Sequence, residues 1–183
     1  KGVGALFIKK GFTVSANIVG GGQENGMRSG TENVASIVGF GKACEIAKDK
    51  LSDNISHFQT LHSSMLSRIV KEIPHVKLNG HPQNRIFNNI HLTFLGVNGE
   101  DLIIKLDEHG IAASTGSACS VHTQKASHVL KAMGFNHEQI TGSLRMSFGY
   151  LNTLDEVSQT IDVLKKVVAE LRSVSPYKTK YNF

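Results

Sequence analysis

The segment Ala113-Ser-Thr-Gly-Ser-Ala-Cys-Ser-Val-His122 organises the elements on either side of it. It follows a short apolar, strand-like run, Gly110-Ile-Ala-Ala113, and precedes a helix-like run from Ala126 to Met133. Its residues are small and bury little area, which is typical of an exposed loop. Cys119 could act as a nucleophile once it is deprotonated. It could equally be a small buried apolar residue, as most free cysteines are. The local sequence leaves both interpretations open.

The overall composition is that of an ordinary globular protein. Of the 183 residues, 40% are hydrophobic and 19% are charged. The formal net charge of +5 is spread along the chain and Trp is absent, so no nucleic-acid partner is expected. No apolar run is long enough to cross a bilayer, so no membrane partner is expected either.

Cysteine and histidine spacing argues against two further classes. The two cysteines, Cys44 and Cys119, are too few for a disulfide-stapled fold, which favours a reducing, cytoplasmic setting. An organelle matrix would provide the same conditions. The nine histidines and two cysteines show no tight ligand spacing, so no metal site is predicted.

Hydrophobic periodicity predicts an α/β protein. The predicted strands are Val3–Lys9, Val76–Leu78, Asn89–Phe94 and Ser143–Phe148, with a weaker extended segment at Thr13–Val19. The predicted helices are Val34–Ala47, Leu51–Ile73, Glu100–Glu108, Ser127–Met133 and a long one opened by the capping box Thr153-Leu-Asp-Glu156. Asn136–Thr141 is predicted to form a helical turn. A shift from Gly-rich loop and strand to regular helices and strands near residue 50 predicts a domain boundary. Residues Pro176 to Phe183 have no pattern and are expected to fray.

Several polar residues receive structural interpretations from the same patterns. His57 and His62 are predicted on the solvent side of the second helix, and His91 is interpreted as a sheet residue rather than a catalyst. Cys44 lies within the apolar run of the first helix and is expected to be buried.

A second glycine-rich stretch runs Gly20-Gly-Gly-Gln-Glu-Asn-Gly-Met-Arg-Ser-Gly-Thr-Glu-Asn33. Its glycines allow close approach to a ligand, and Thr31 stands where a helix N-cap is expected. A helix N-terminus preceded by Arg28 and Thr31 is a plausible phosphate site. The stretch matches neither a P-loop nor a dinucleotide fingerprint, and many such loops are only structural.

Three segments together resemble the pyridoxal-phosphate-dependent cysteine desulfurases of the class V aminotransferase group. They are Lys1-Gly-Val-Gly-Ala-Leu-Phe-Ile8, the stretch Gly20 to Asn33, and a third region. That region runs from Ser114-Thr-Gly-Ser-Ala-Cys119 through Val129-Leu-Lys-Ala-Met-Gly134 to Ser143-Leu-Arg-Met-Ser-Phe-Gly149. The segments stand in the family's order and rough spacing, and the similarity spans residues 1 to about 172.

The resemblance implies the C-terminal part of a fold-type-I transferase. Residues 1–50 would be the end of the large pyridoxal-phosphate-binding domain. Residues 51–175 would form the small α/β domain that carries the cysteine loop, and residues 176–183 would be a tail.

The resemblance also implies roles for individual residues. Cys119 matches the thiol that attacks the substrate sulfur and becomes a persulfide, and Arg145 matches the arginine that holds the substrate α-carboxylate. Thr31 matches a threonine that reaches the phosphate of pyridoxal 5'-phosphate in the partner subunit, which implies a homodimer. Arg28 would support that loop. The resemblance assigns no role to His122, which could assist proton transfer or lower the thiol pKa, although a loop histidine is more often a bystander.

The implied reaction converts L-cysteine to L-alanine and passes sulfur from Cys119 to an acceptor, such as an iron–sulfur scaffold protein. The loop around Cys119 fits the longer type found in the group that serves iron–sulfur assembly. A selenocysteine lyase is the nearest enzymatic alternative. A non-catalytic lobe that acts as an interaction module is the alternative from another class.

The match at Lys1 implies that the cofactor-binding lysine is not among these residues. Lys1 matches a lysine that follows the cofactor-binding lysine in the family, so the residues that hold the cofactor ring would lie upstream. We therefore predict that the 183-residue chain alone is inactive and forms no covalent bond with pyridoxal phosphate. Borohydride treatment of the mixture, followed by peptide mass spectrometry, should show no lysine with stoichiometric label. One specifically labelled lysine would place the cofactor lysine within these residues.

Overall fold

A computed structural model of the protein describes residues 2–115, 127–181 and 183. Chain contacts divide it into two compact units, Lys1–Ser52 and Asp53–Phe183. The helices are α1 (Val34–Asp49), α2 (Leu51–Glu72), α3 (Gly99–Asp107), α4 (His128–Ala132), α5 (His137–Thr141), α6 (Leu154–Ser173) and α7 (Lys178–Tyr181), and a short 3-10 helix covers Gln23–Gly26. The strands are β1 (Val76–Leu78), β2 (Asn89–Phe94) and β3 (Ser143–Ser147).

The second unit is built on an antiparallel sheet of three strands in the order β1-β2-β3. The sequence predicted all three strands, and the structure confirms them. Val76 lies opposite Phe94, and Ile90 lies opposite Met146. Because side chains alternate along a strand, β2 sends Ile90, Leu92 and Phe94 to one face and its odd-numbered residues to the other.

The core of this unit lies between the sheet and the amphipathic helices. Both long helices were predicted from their apolar periodicity and are confirmed. Thr153 caps α6 in the predicted capping box with Glu156. The buried core side chains from helices and sheet include Leu61, Met65, Ile69, Ile90, Leu92, Phe94, Leu102, Leu106, Leu144, Ile161, Leu164 and Val168.

The first unit contains no strand among residues 2–52, so the predicted strand at Val3–Lys9 and extended segment at Thr13–Val19 are wrong as ladder elements. Within these residues, strand-like backbone pairing is limited to one isolated parallel bridge between Ile18 and Arg28. A strand needs a neighbour for its N–H and C=O groups, and residues 2–52 supply none for Val3–Lys9.

Helix α1 corrects two more expectations. Its N-cap is Asn33, whose side chain accepts from the Ser36 N–H, and not Thr31. The helix buries none of its residues, and Cys44 is exposed, so the prediction of a buried thiol is wrong. Apolar sequence alone does not bury a side chain, because burial requires a packed neighbour, and the first unit supplies none for α1.

Residues 176–181 and 183 were expected to fray, but several of them make specific contacts. Tyr181 ends α7 and stacks on Phe183, with ring centroids 5.3 Å apart. The Arg172 guanidinium lies 4.4 Å from the Phe183 ring centroid, and it donates to the carbonyl oxygens of Leu95 and His75. The expectation of an unpatterned tail failed because these contacts come from aromatic and cationic partners distant in sequence.

None of the helices in the described ranges combines the length and the apolar character that a membrane span needs.

Gly142 tests how tightly the sheet end is packed. A Cβ at this position would lie 2.5 Å from the Phe94 carbonyl oxygen and 3.0 Å from that of Val97. Gly142→Ala should therefore lower the free energy of unfolding by about 1–3 kcal/mol, as overpacking does. Gly149→Ala is the matched control, since its Cβ would meet its nearest atom at an ordinary 3.8 Å. Urea denaturation of both variants measures the difference, and equal midpoints would contradict the packing.

Candidate active site

Arg145 is the middle residue of β3, with His91 of β2 opposite it on one side and Ser114 on the other. On the side away from β2, the Ser114 N–H donates to the Arg145 carbonyl oxygen at 3.0 Å, and the Arg145 N–H donates to the Ser114 carbonyl oxygen at 2.6 Å. This isolated antiparallel bridge fixes the chain just before the small-residue segment against the strand that carries Arg145.

The bridge limits how far the thiol can be from Arg145. Cys119 and His122 lie outside the described residues, so their structure is not part of the site geometry. Cys119 follows Ser114 by five positions. Five extended residues span at most about 18 Å, so Cys119 is tethered within that radius of Ser114.

The Arg145 side chain is half-buried and makes no hydrogen bond or ion pair with another side chain in the described ranges. Its neighbours on this face of the sheet are already engaged. Thr93 donates to the Asn79 side chain and is 3.0 Å from the Gln139 carbonyl oxygen, and Ser143 donates to the Ile140 carbonyl oxygen. A guanidinium in this position can grip a carboxylate with two N–H donors.

His91 is the cross-strand partner of Arg145, so both side chains leave the same face of the sheet. Burial, and then the positive charges of Arg145 and Arg85, together lower the pKa of His91 to about 4. The His91 imidazole is therefore neutral at physiological pH. Its Nε2 atom is buried and has no hydrogen-bond partner among the described residues.

Arg85 and His62 extend this polar cluster, and His62 corrects a prediction. It was expected on the solvent side of α2, but it is buried, with its ring edge-on to Phe87 at 5.6 Å. Burial and then the charge of Arg85 lower the pKa of His62. Among the described residues, Arg85 itself donates to the carbonyl oxygens of Asn79 and His81, at 3.4 and 3.5 Å, and to no side chain. The cluster is cationic and includes no carboxylate from the described residues.

Arg85 and His91 were not selected as site residues from the sequence. The available signal was the row of polar residues at alternate positions of β2, Asn89, His91 and Thr93. It becomes informative only with the register, which sets His91 opposite Arg145.

The glycine-rich loop lies in the first unit and is held by its own side chains. Ser29 is buried, its hydroxyl donates to the Gly21 carbonyl oxygen at 2.8 Å, and Arg28 Nη1 donates to the Ser29 carbonyl oxygen at 2.9 Å. Gly30 has a φ of +115°, a conformation that side chains disfavour. Thr31 follows as an exposed residue three positions before α1 begins. Its hydroxyl and the helix N-terminus fit the phosphate end of a cofactor.

A cavity of about 430 Å³ in the second unit is a poor competitor for an anionic substrate. It lies beside Gly110–Ala112 and the first turns of α6, and the described residues that line it include neither Lys nor Arg. Its carboxylate, Glu156, already accepts from the Thr153 N–H at 2.8 Å. The described residues also contain no cluster of three or more His, Cys, Asp or Glu that could hold a metal ion.

The family model of the class-V aminotransferases matches residues 1–160. Among curated proteins, the chain is 44% identical over 176 residues to cysteine desulfurase IscS 1 of Archaeoglobus fulgidus, which covers 96% of this chain and 46% of that protein. It is 42% identical over 181 residues to cysteine desulfurase IscS of Dictyoglomus turgidum, with 99% and 46% covered. The chain thus spans about half the length of the curated relatives it matches.

Solved structures give a similar answer. A NifS-like protein superposes with a TM-score of 0.79 at 31% identity and covers 90% of this chain and 41% of that one. A NifS-like protein from Rickettsia africae gives a TM-score of 0.73 at 31% identity, with 89% and 41% covered.

The environment of His91 predicts a pH dependence. Its pKa is about 4 in the folded protein and 6.5 as a free side chain, so the unfolded chain binds the proton first as pH falls. The stability that this group contributes is present above 6.5 and is lost as pH falls towards 4. His62 acts in the same direction because its pKa is also lowered.

The measurement is the urea midpoint at about pH 7 and about pH 5 for the parent and for His91→Phe, which cannot titrate. The fall between the two pH values should be smaller in His91→Phe. An equal fall would mean that His91 is not held neutral by its surroundings.

Proposed function

The chain belongs to the class-V aminotransferase family, and we propose that it is part of a cysteine desulfurase that converts L-cysteine to L-alanine. Its α/β fold is that of part of a fold-type-I transferase, shared with the NifS-like proteins. We propose that residues 1–50 end the large domain and residues 51–175 form the small one. This agrees with the division of the chain after Ser52.

The observation that carries the proposal is the backbone bridge between Ser114 and Arg145. It joins a guanidinium without a side-chain partner in the described ranges to the segment that leads to Cys119. A carboxylate held by Arg145 would therefore lie within reach of a thiol that is tethered five residues away.

In the proposed reaction, the Cys119 thiolate attacks the sulfur of bound L-cysteine. The carbon–sulfur bond of the substrate breaks, a sulfur–sulfur bond forms on Cys119, and a proton replaces sulfur on the substrate carbon. The products are L-alanine and a Cys119 persulfide, with no external oxidant or reductant. Arg145 binds the α-carboxylate, and His122 could lower the thiol pKa or move a proton.

Pyridoxal 5'-phosphate would supply the electron sink that makes this carbon–sulfur bond breakable. Within this chain, Thr31 would bind its phosphate in the partner subunit of a homodimer, and Arg28 would support the loop that presents Thr31. The exposed Thr31 beside the N-terminus of α1 supports this role. The residues that hold the ring would come from other parts of the longer protein.

The persulfide sulfur would pass to an acceptor, such as an iron–sulfur scaffold protein, in the cytoplasm or an organelle matrix. Comparing turnover of L-cysteine and selenocysteine by the full-length protein would separate a desulfurase from a selenocysteine lyase. A lobe that only binds partners would turn over neither substrate.

Cys119→Ser tests the proposal in the full-length protein. Single turnover of L-cysteine should form no persulfide and release no alanine, because a hydroxyl does not accept the sulfur. Cys44→Ser is the matched control and should retain both activities, although Cys44 is exposed. Sustained alanine release by Cys119→Ser would contradict the assignment of Cys119.

Arg145→Ala tests the other half of the site. It should raise KM for L-cysteine strongly, since a hydrogen-bonded ion pair to a carboxylate is worth about 1.5–3 kcal/mol, roughly 10- to 150-fold. Alkylation of Cys119 by iodoacetamide, mapped by mass spectrometry, should continue at the parental rate. An unchanged KM would mean that another group holds the carboxylate.

A further inference from the structure

His91 and Arg145 form the kind of cross-strand pair in which side chains lie closest. The carbonyl oxygen of His91 accepts from the Asn79 N–H on the β1 side, and the Arg145 backbone groups bond to Ser114 on the opposite side. The backbones of His91 and Arg145 therefore do not hydrogen-bond to each other. In such non-hydrogen-bonded antiparallel pairs, the two Cβ atoms are about 4.5–5.5 Å apart.

The remaining neighbours of Arg145 on this face do not offer a comparable surface. Ser143 and Thr93 are small and are engaged with backbone or amide oxygens, and Asn89 donates to Ser147 at 3.4 Å. His91 is the ring-bearing residue of this row on β2 and β3. The guanidinium of Arg145 can lie flat against such a ring.

The charge state of His91 suits that contact. Its half-buried ring lies near two guanidinium groups, those of Arg145 and Arg85, and its pKa is lowered first by burial and then by these two positive charges, so the ring stays neutral. A neutral ring restrains Arg145 without neutralising it or competing for its carboxylate. Full positive charge thus stays on Arg145.

We propose that His91 is a positioning residue for Arg145, whose ring restrains the guanidinium from the neighbouring strand and so increases affinity for the α-carboxylate of the substrate. The role rests on the proposed function only in naming that carboxylate. It gives a role in substrate binding to His91, which the sequence analysis interpreted only as a sheet residue.

The test uses the full-length protein with its cofactor and two measurements. Calorimetry gives the Kd for L-alanine, which carries the carboxylate but no sulfur, and steady-state kinetics gives kcat and KM for L-cysteine. His91→Ala should weaken L-alanine binding and raise KM by about tenfold, with kcat within about twofold of the parent. His91→Phe keeps a flat neutral ring and should stay within about threefold of the parent in both measurements.

Two further variants separate positioning from general packing. Asn89→Ala, two residues along the same face of β2, is the matched control and should leave Kd and KM unchanged. His91→Leu keeps apolar volume without a flat ring and should behave like His91→Ala, which preserves the test if the alanine variant unfolds. Thermal melting of every variant shows whether it is folded.

The decisive comparison is a double-mutant cycle. If His91 acts through Arg145, then His91→Ala should add little to the loss of L-alanine affinity in Arg145→Ala. Fully multiplicative effects, or parental affinity in both His91→Ala and His91→Leu, would overturn the proposal, as would a parent protein that binds neither amino acid. A parent that binds L-alanine with the predicted coupling but does not desulfurate L-cysteine would refute only the proposed function.

Discussion

The backbone bridge between Ser114 and Arg145 is the constraint on which the candidate site depends. Two hydrogen bonds extend the sheet of three strands by one residue and fix where the segment carrying Cys119 begins. The rest of the second unit holds this edge in place, because β3 contacts α3 and its Leu144 and Met146 belong to the buried core. The proposed chemistry therefore needs a rigid anchor at Arg145 and a tether of only five residues.

One face of the sheet packs into the hydrophobic core, and the other carries the residues of the candidate site. One face supplies Ile90, Leu92 and Phe94 to the core. The other carries His91 and Arg145 and accumulates positive charge that no carboxylate in the described ranges offsets. Partly buried positive charge without a carboxylate partner is a feature of ligand-binding sites, because a bound anion would offset it.

Patterns among residues close in sequence predicted much of this fold, but features that depend on distant residues were not predicted. Strand β2 and the capping box of Thr153 were correct because alternation and capping depend on residues nearby in sequence. The predictions of an exposed His62 and a buried Cys44 were both wrong, because burial depends on which distant elements pack against a helix. The proposed role of His91 could not be inferred for a similar reason, since a register between strands cannot be read from either strand alone.

The central claim is that sulfur leaves L-cysteine for the thiol tethered beside Arg145. The most direct measurement is to react the full-length protein once with ³⁴S-labelled L-cysteine and map the added sulfur by peptide mass spectrometry under non-reducing conditions. The account predicts one heavy sulfur atom on the peptide that contains Cys119 and none on the peptide that contains Cys44. Heavy sulfur on the Cys44 peptide, or alanine formed with no labelled cysteine in this chain, would contradict it.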